Sequence, residues 1–355
     1  MKSRSSPMSV RVGAYYFDGW SGINCQADDS NEPWSKNAPT HLSRKLAYDY
    51  SEREPVWGWR NDEPAIMKKQ LDLAADHGID FFAFCWYWNE ENEPYSANSI
   101  ASDPKHTSLG LYLQASNKKR VKFCLLIANH APLRIQGLDA WKTAIDVHWI
   151  PYLKDEQAVT VDSKPLIIIY DSSTVAAGAL DYFQKKAKAA GLLGVSVAGC
   201  CKAGPNEGFQ LSASYNTIPG YETDIPEEKD YEVLIKANKD SWSGEPNFPH
   251  IPTITIAWDK RPWDGPQSGN FGGGSKPGWH YTNCTPQRFY DYVQSAITWM
   301  DIHPQETIEE RMVLLYAWNE NGEGGYLMPT KGDPDAKFLK EIKKITEKQN
   351  QKTPL

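Results

Sequence analysis

The chain has 355 residues, 40% hydrophobic and 23% charged, with 38 Lys and Arg against 45 Asp and Glu for a formal charge of -7. That length suits one barrel of eight β/α units, and the composition excludes a disordered chain or a membrane span. The acidic balance argues against a nucleic-acid or anionic-membrane surface, where neutralising phosphates requires clustered Lys and Arg.

Short apolar runs alternate with amphipathic segments along the chain, the pattern of repeated βα units around a parallel sheet. Eight strands are expected: Val10 to Phe17, Ile79 to Trp88, Val121 to Asn129, Pro165 to Asp171, Val195 to Lys202, Ala213 to Pro219, Pro252 to Asp259 and Met312 to Asn319. Most are continuously apolar, as when both faces are buried. Between them, apolar residues three and four apart predict helices: one carrying Ile66, Leu71 and Ala74 and stopping at Gly78, a weaker one over Leu109 to Lys118, then Leu138 to Leu153, Ala176 to Ala190, Glu228 to Trp242, Pro286 to Ile302 and Ala336 to Thr346. The fifth crossover shows little helical periodicity. The expected fold class is therefore α/β, a single (β/α)8 TIM barrel with long βα loops. One catalytic domain spans 1–355, its core at 9–348 and a polar tail beyond, frayed from about Lys343.

Two long irregular segments, Gly19 to Asp62 and Lys260 to Thr285, follow strand ends and are placed to shape a site at the barrel mouth. Cys85, Cys124, Cys200 and Cys201 lie in apolar runs as small hydrophobes, with neither a disulfide framework nor zinc spacing. The opening Met1 to Met8 lacks an apolar stretch, so the sequence as written is expected to be cytoplasmic, or secreted or periplasmic if a leader was removed.

Polar and aromatic residues gather where the strands end: Tyr15, Tyr16 and Asp18; Trp86, Tyr87, Trp88 and Asn89; Asn129 and His130; Tyr170 and Asp171; Lys202; Tyr221 and Glu222; Trp258, Asp259 and Arg261; Asn319, Glu320 and Glu323. With 14 Trp and 18 Tyr in the chain, flat faces that also offer a hydrogen bond suit sugar rings. The string Trp318-Asn319-Glu320-Asn321-Gly322-Glu323-Gly324 follows the last apolar run and sends two carboxylates to one mouth. Glycosidic cleavage needs such a pair, one protonated acid for the leaving oxygen and one carboxylate as base or nucleophile. Asp28-Asp29 and Glu90-Glu91 lack calcium-loop spacing, and Gly272-Gly273-Gly274-Ser275-Lys276 lacks the strand-loop-helix frame of a phosphate loop.

The Asn-Glu-x-x-Glu-Gly string, followed by Tyr326-Leu327-Met328-Pro329, resembles the corresponding signature of glycoside hydrolase family 99 and of family-99-like proteins, including WbsX-type polysaccharide-locus proteins. Gly13 to Phe17, His77 to Phe84 with Trp86-Tyr87-Trp88, and Pro252 to Pro262 are similar to that group's first, second and seventh strands. The resemblance implies a retaining, endo-α-mannosidase-like glycosidase without metal or cofactor. Glu320 would deprotonate the substrate's own 2-hydroxyl, which attacks the anomeric carbon to give a 1,2-anhydro sugar; Glu323 would be acid, then base. It also implies sugar subsites at Tyr16, Trp88, Tyr170, Tyr221 and Arg261; the strand-end positions Trp86, His130, Trp258, Asp259 and Asn319 complete the expected substrate-binding set. Asn321 and Met328 depart from the family pattern, an aromatic after the first Glu and an acidic residue before the proline, which leaves the sugar open among α-mannosides and α-rhamnosides. The expected partner is an oligo- or polysaccharide. The alternatives are a polysaccharide-assembly glycosyl-transfer protein and a non-catalytic glycan-binding barrel.

Overall fold

A computed structural model describes residues 9–24, 38–88, 97–201, 203–219, 228–244, 247–264 and 279–352. Eight parallel strands form the barrel: β1 (Arg11–Tyr16), β2 (Phe81–Trp86), β3 (Lys122–Ile127), β4 (Lys164–Ile169), β5 (Ser196–Gly199), β6 (Leu211–Ser212), β7 (Thr253–Thr255) and β8 (Met312–Tyr316). Their order is β6-β5-β4-β3-β2-β1-β8-β7. Among the described residues, closure between β6 and β7 rests on a single bridge, in which the Ser212 N–H donates to Pro249 O at 2.8 Å and the Ile251 N–H donates to Ser212 O at 2.9 Å.

Helices α1 (Pro64–Asp76), α2 (Thr107–Gln114), α3 (Gly137–Thr143, continued by a π-turn), α4 (Ala179–Ala189), α5 (Tyr231–Trp242), α6 (Pro286–Ile302) and α7 (Lys337–Lys352) cover the outside. Each buries one stripe against the sheet. In α1, proline at the first turn needs no N–H partner, and Ile66, Met67, Gln70, Leu71 and Ala74 form the buried face. The β5–β6 crossover holds only the 3-10 turn Pro205–Glu207 among the described residues, as its weak periodicity indicates.

Two expectations are corrected. The sixth strand is Leu211–Ser212 and not Ala213 to Pro219, because the chain leaves the ladder there: Ser214 O accepts the Tyr15 hydroxyl at 2.8 Å and the Thr253 hydroxyl at 2.6 Å. The tail does not fray at Lys343, since α7 runs to Lys352 with Leu339, Ile342 and Ile345 buried. No described helix is long and apolar enough to cross a membrane.

Candidate active site

Strand alternation decides which side chains enter the barrel. On β1, Tyr15 points inward, its ring 4.9 Å from that of Tyr215, whereas Tyr16 points outward and donates to Gln70 of α1 at 3.1 Å. On β2 the same parity sends Cys85 and Tyr87 toward the mouth. Trp86 and Trp88 go into the layer under α3, against His148 and Trp149. Tyr16, Trp86 and Trp88 therefore do not line the mouth.

Past β8, Asn319–Glu320 pairs antiparallel with Gly325–Tyr326 in a tight hairpin whose turn contains Glu323. Gly324 sits at φ 81°, and a Cβ there would lie 2.9 Å from the Asp259 nitrogen, so the turn requires glycine. A Cβ on Gly322 would come 2.1 Å from the Trp263 indole, which packs flush under the turn. Asn319 is spent on structure: its amide accepts from the Phe17 N–H and donates to Phe17 O, both at 2.7 Å, stapling the hairpin to the end of β1. Beneath the turn, the buried Arg53 guanidinium donates to Asp259 O at 2.9 Å, to Asn321 O at 3.2 Å and to the Asp259 carboxylate at 2.5 Å. The Asp259 N–H in turn donates to Glu323 O at 2.7 Å. Asp259 and its second partner Arg261, which stands over the Tyr50 ring, thus support the hairpin and do not line the cavity.

A cavity of about 330 Å³ opens over this hairpin, with Glu320 and Glu323 on its floor and Phe17, Tyr87, His130, Tyr170, Tyr215, Trp258 and Trp263 among its walls. Among the expected residues, Glu320, Glu323, His130, Tyr170 and Trp258 meet there; Tyr221 lies outside the described residues. The sequence reading passed over Tyr215 and Tyr316, which carry the carboxylates: Tyr215 donates to Glu320 Oε1 at 2.5 Å and Tyr316 donates to Glu323 Oε2. Their rings touch at 5.0 Å. Tyr316 reads only as part of the last strand, and no motif marks Tyr215.

Glu320 is 4% exposed. Burial, and then the neighbouring Glu323 charge, push its carboxyl well above the usual range, against the pull of the Tyr215 hydrogen bond and of Lys260. Glu323 is also raised, chiefly by burial, and is held down by the Tyr316 hydrogen bond and Lys260. Two carboxyls in one desolvated cavity cannot both ionise easily, so the pair retains a proton well above the ordinary carboxylate range. Such a site can offer one acid and one base at once. Among the described residues, no group of three His, Cys, Asp or Glu side chains is placed to hold a metal ion.

The chain is thus a parallel (β/α)8 barrel with a carboxylate pair on the loop after its last strand. The endo-α-mannosidase of glycoside hydrolase family 99 from Bacteroides thetaiotaomicron has this fold, with TM-score 0.57 and 14% identity over 97% of this chain and 99% of that one. A glycoside hydrolase-like protein matches with TM-score 0.59 and 13% identity over 97% and 96% of the two chains. The chain itself belongs to the WbsX family: the family model described as Glycosyltransferase WbsX matches residues 58–342. Comparison with curated proteins finds no match.

Proposed function

We propose that this chain is a glycoside hydrolase that cleaves α-linked glycans with Glu320 and Glu323 as its catalytic pair. The observation carrying this reading is the pair itself, two carboxylates in one aromatic-walled cavity, Glu320 buried and Glu323 half-buried, each hydrogen-bonded by its own tyrosine. The finer mechanism follows the family-99 resemblance. Glu320 removes the proton of the substrate's 2-hydroxyl as that oxygen attacks the anomeric carbon, and Glu323 gives its proton to the departing glycosidic oxygen. Glu323 then takes a proton from water, whose oxygen opens the 1,2-anhydro ring at the anomeric carbon while Glu320 returns its proton to the 2-oxygen. Two displacements retain the anomeric configuration. The 2-hydroxyl must stand trans to the leaving group, a condition that α-mannosides and α-rhamnosides meet.

Glycosyl transfer is the second reading, favoured by the description of the family model; the same pair would serve it with a sugar hydroxyl in place of water. Product analysis by chromatography with mass detection, on α-mannosyl, α-rhamnosyl and bacterial polysaccharide substrates, tests both. Hydrolysis predicts reducing sugars from the wild type and a loss of roughly 10²- to 10⁴-fold in Glu320→Gln and in Glu323→Gln. Elongated products would shift the assignment to transfer, and undiminished turnover by both variants would remove the pair from the chemistry.

A further inference from the structure

The buried stripe of α1 is apolar except at one place. Beside Ile66, Met67, Leu71 and Ala74 it carries Gln70, whose amide is fully enclosed. A buried amide gives up its hydrogen bonds to water and has to recover them inside the protein, so a polar residue at this position carries a cost that an apolar one would not. Gln70 recovers all of its bonds from the segments around the catalytic hairpin. Its Oε1 accepts the Trp318 indole N–H at 2.7 Å and the Tyr16 hydroxyl at 3.1 Å, and its Nε2 donates to Asn61 Oδ1 at 3.2 Å.

These bonds close two rings on the residues that precede Glu320. In the first, the Asn61 N–H donates to Trp20 O at 2.8 Å and the Trp20 indole N–H donates to Asn319 O at 2.9 Å, from which the chain returns through Trp318 to Gln70. In the second, Tyr16 leads along the chain to Phe17, whose N–H and carbonyl are both held by the Asn319 amide. Gln70 and the Trp318-Asn319 pair lie in both rings, and Gln70 ties that pair to α1. Trp20, Asn61, Gln70, Trp318 and Asn319 are all 0% exposed, so solvent does not compete for these bonds. The Arg53 brace grips Asn321 and Asp259 at the other end of the hairpin and shares no residue with the rings.

We infer that Gln70 is a positioning residue for Glu320: by fixing Trp318 and Asn319 from outside the barrel, it sets where the Glu320 carboxylate stands against the Tyr215 hydroxyl. Arg53 serves the Glu323 end of the hairpin separately. The part of Gln70 in turnover rests on the glycosidase reading, whereas its part in placing the carboxylate is measured without substrate.

Gln70→Met keeps the length of the side chain and deletes its acceptor and donor. In protein labelled with δ-13C glutamate, the Glu320 signal, assigned by its absence from Glu320→Gln, is followed against pH. Opening the rings lets the carboxylate draw away from Tyr215, which leaves burial less opposed, so the signal should titrate at higher pH in Gln70→Met than in the wild type. With substrate, kcat should fall roughly tenfold to a hundredfold with KM changed much less. Trp20→Phe opens the first ring alone and should shift both readouts in the same direction by less; it carries the test if Gln70→Met does not fold. The Gln70→Met/Trp20→Phe double variant should lose less than the product of the two single losses, because the ring is already open. Gln70→Glu keeps acceptor oxygens for Trp318 and Tyr16 and should recover part of kcat even where its melting temperature stays low, a rescue that a merely structural role would not give. A Glu320 titration that does not move in the folded variants, with or without a fall in kcat, would overturn the assignment, as would losses that multiply in the double variant. A titration that moves in a chain whose wild type hydrolyses nothing would keep Gln70 as the positioning residue and overturn the glycosidase reading.

Discussion

Replacing Tyr215 with Phe removes one hydroxyl and leaves the ring in its contacts with Tyr15, Tyr170 and Tyr316. That hydroxyl donates to Glu320 at 2.5 Å, an interaction with the ionised carboxylate that opposes the upward push of burial. A hydrogen bond to a charged group contributes about 1.5–3 kcal/mol. Its loss raises the Glu320 carboxyl further, and at about 1.4 kcal/mol per pH unit a titration limb that it governs moves by about one to two pH units. If Glu320 must be ionised to take the 2-hydroxyl proton, the acid limb of the kcat/KM profile moves up by that amount while the upper plateau persists. Tyr316→Phe raises Glu323 in the same sense, and if Glu323 must be protonated, it is the alkaline limb that moves up. Each limb reports the coupled pair, so the two variants are told apart by which limb responds. The assay is initial rate against pH on the best substrate of the panel, with circular dichroism to confirm folding. If Tyr215→Phe shifts the alkaline limb and Tyr316→Phe the acid limb, the two carboxyls exchange roles; if neither limb moves, the tyrosines do not control the protons and the reasoning fails.

Two further outcomes follow from the same structure. Arg53→Met removes the guanidinium that holds Asn321 O and Asp259, freeing the hairpin to shift; kcat should fall about tenfold to a hundredfold with KM changed much less, and Arg53→Lys should recover part of it, so an equal rise in KM alone would refute a positioning role. Stability should depend on pH through buried groups of opposite sign. His106 and His250, each 6% exposed and held down to about 4 by burial, stabilise above the ordinary 6.5 and lose that contribution as pH falls through 4, roughly 3 kcal/mol each at most. Asp18, pushed up to about 6 by burial, acts in reverse: its contribution is complete below 3.8 and is lost as pH rises through 6. The urea midpoint of Asp18→Asn should therefore drop more steeply than wild type between pH 6.5 and 4, and an unchanged slope would show that Asp18 does not titrate there.

Periodicity and local chemistry are legible along the chain without any knowledge of the fold. Continuous apolar runs and three- and four-residue spacing sufficed for the barrel, for most strand and helix positions and for the missing fifth helix, because these depend on neighbours along the chain. The Glu320 and Glu323 pair was legible for the same reason: two carboxylates three residues apart past a strand end share a mouth wherever that strand goes. Which aromatics join them was decided only by tertiary structure. In a strand buried on both faces, apolar residues occupy both parities, so nothing in the run distinguishes Tyr15, inside, from Tyr16, outside, or Tyr87 from its flanking tryptophans. Arg53 supports the Glu320–Glu323 hairpin from more than 200 residues away, a contact that no local spacing announces. Contacts of that kind are set by packing between distant segments, and no local pattern encodes them.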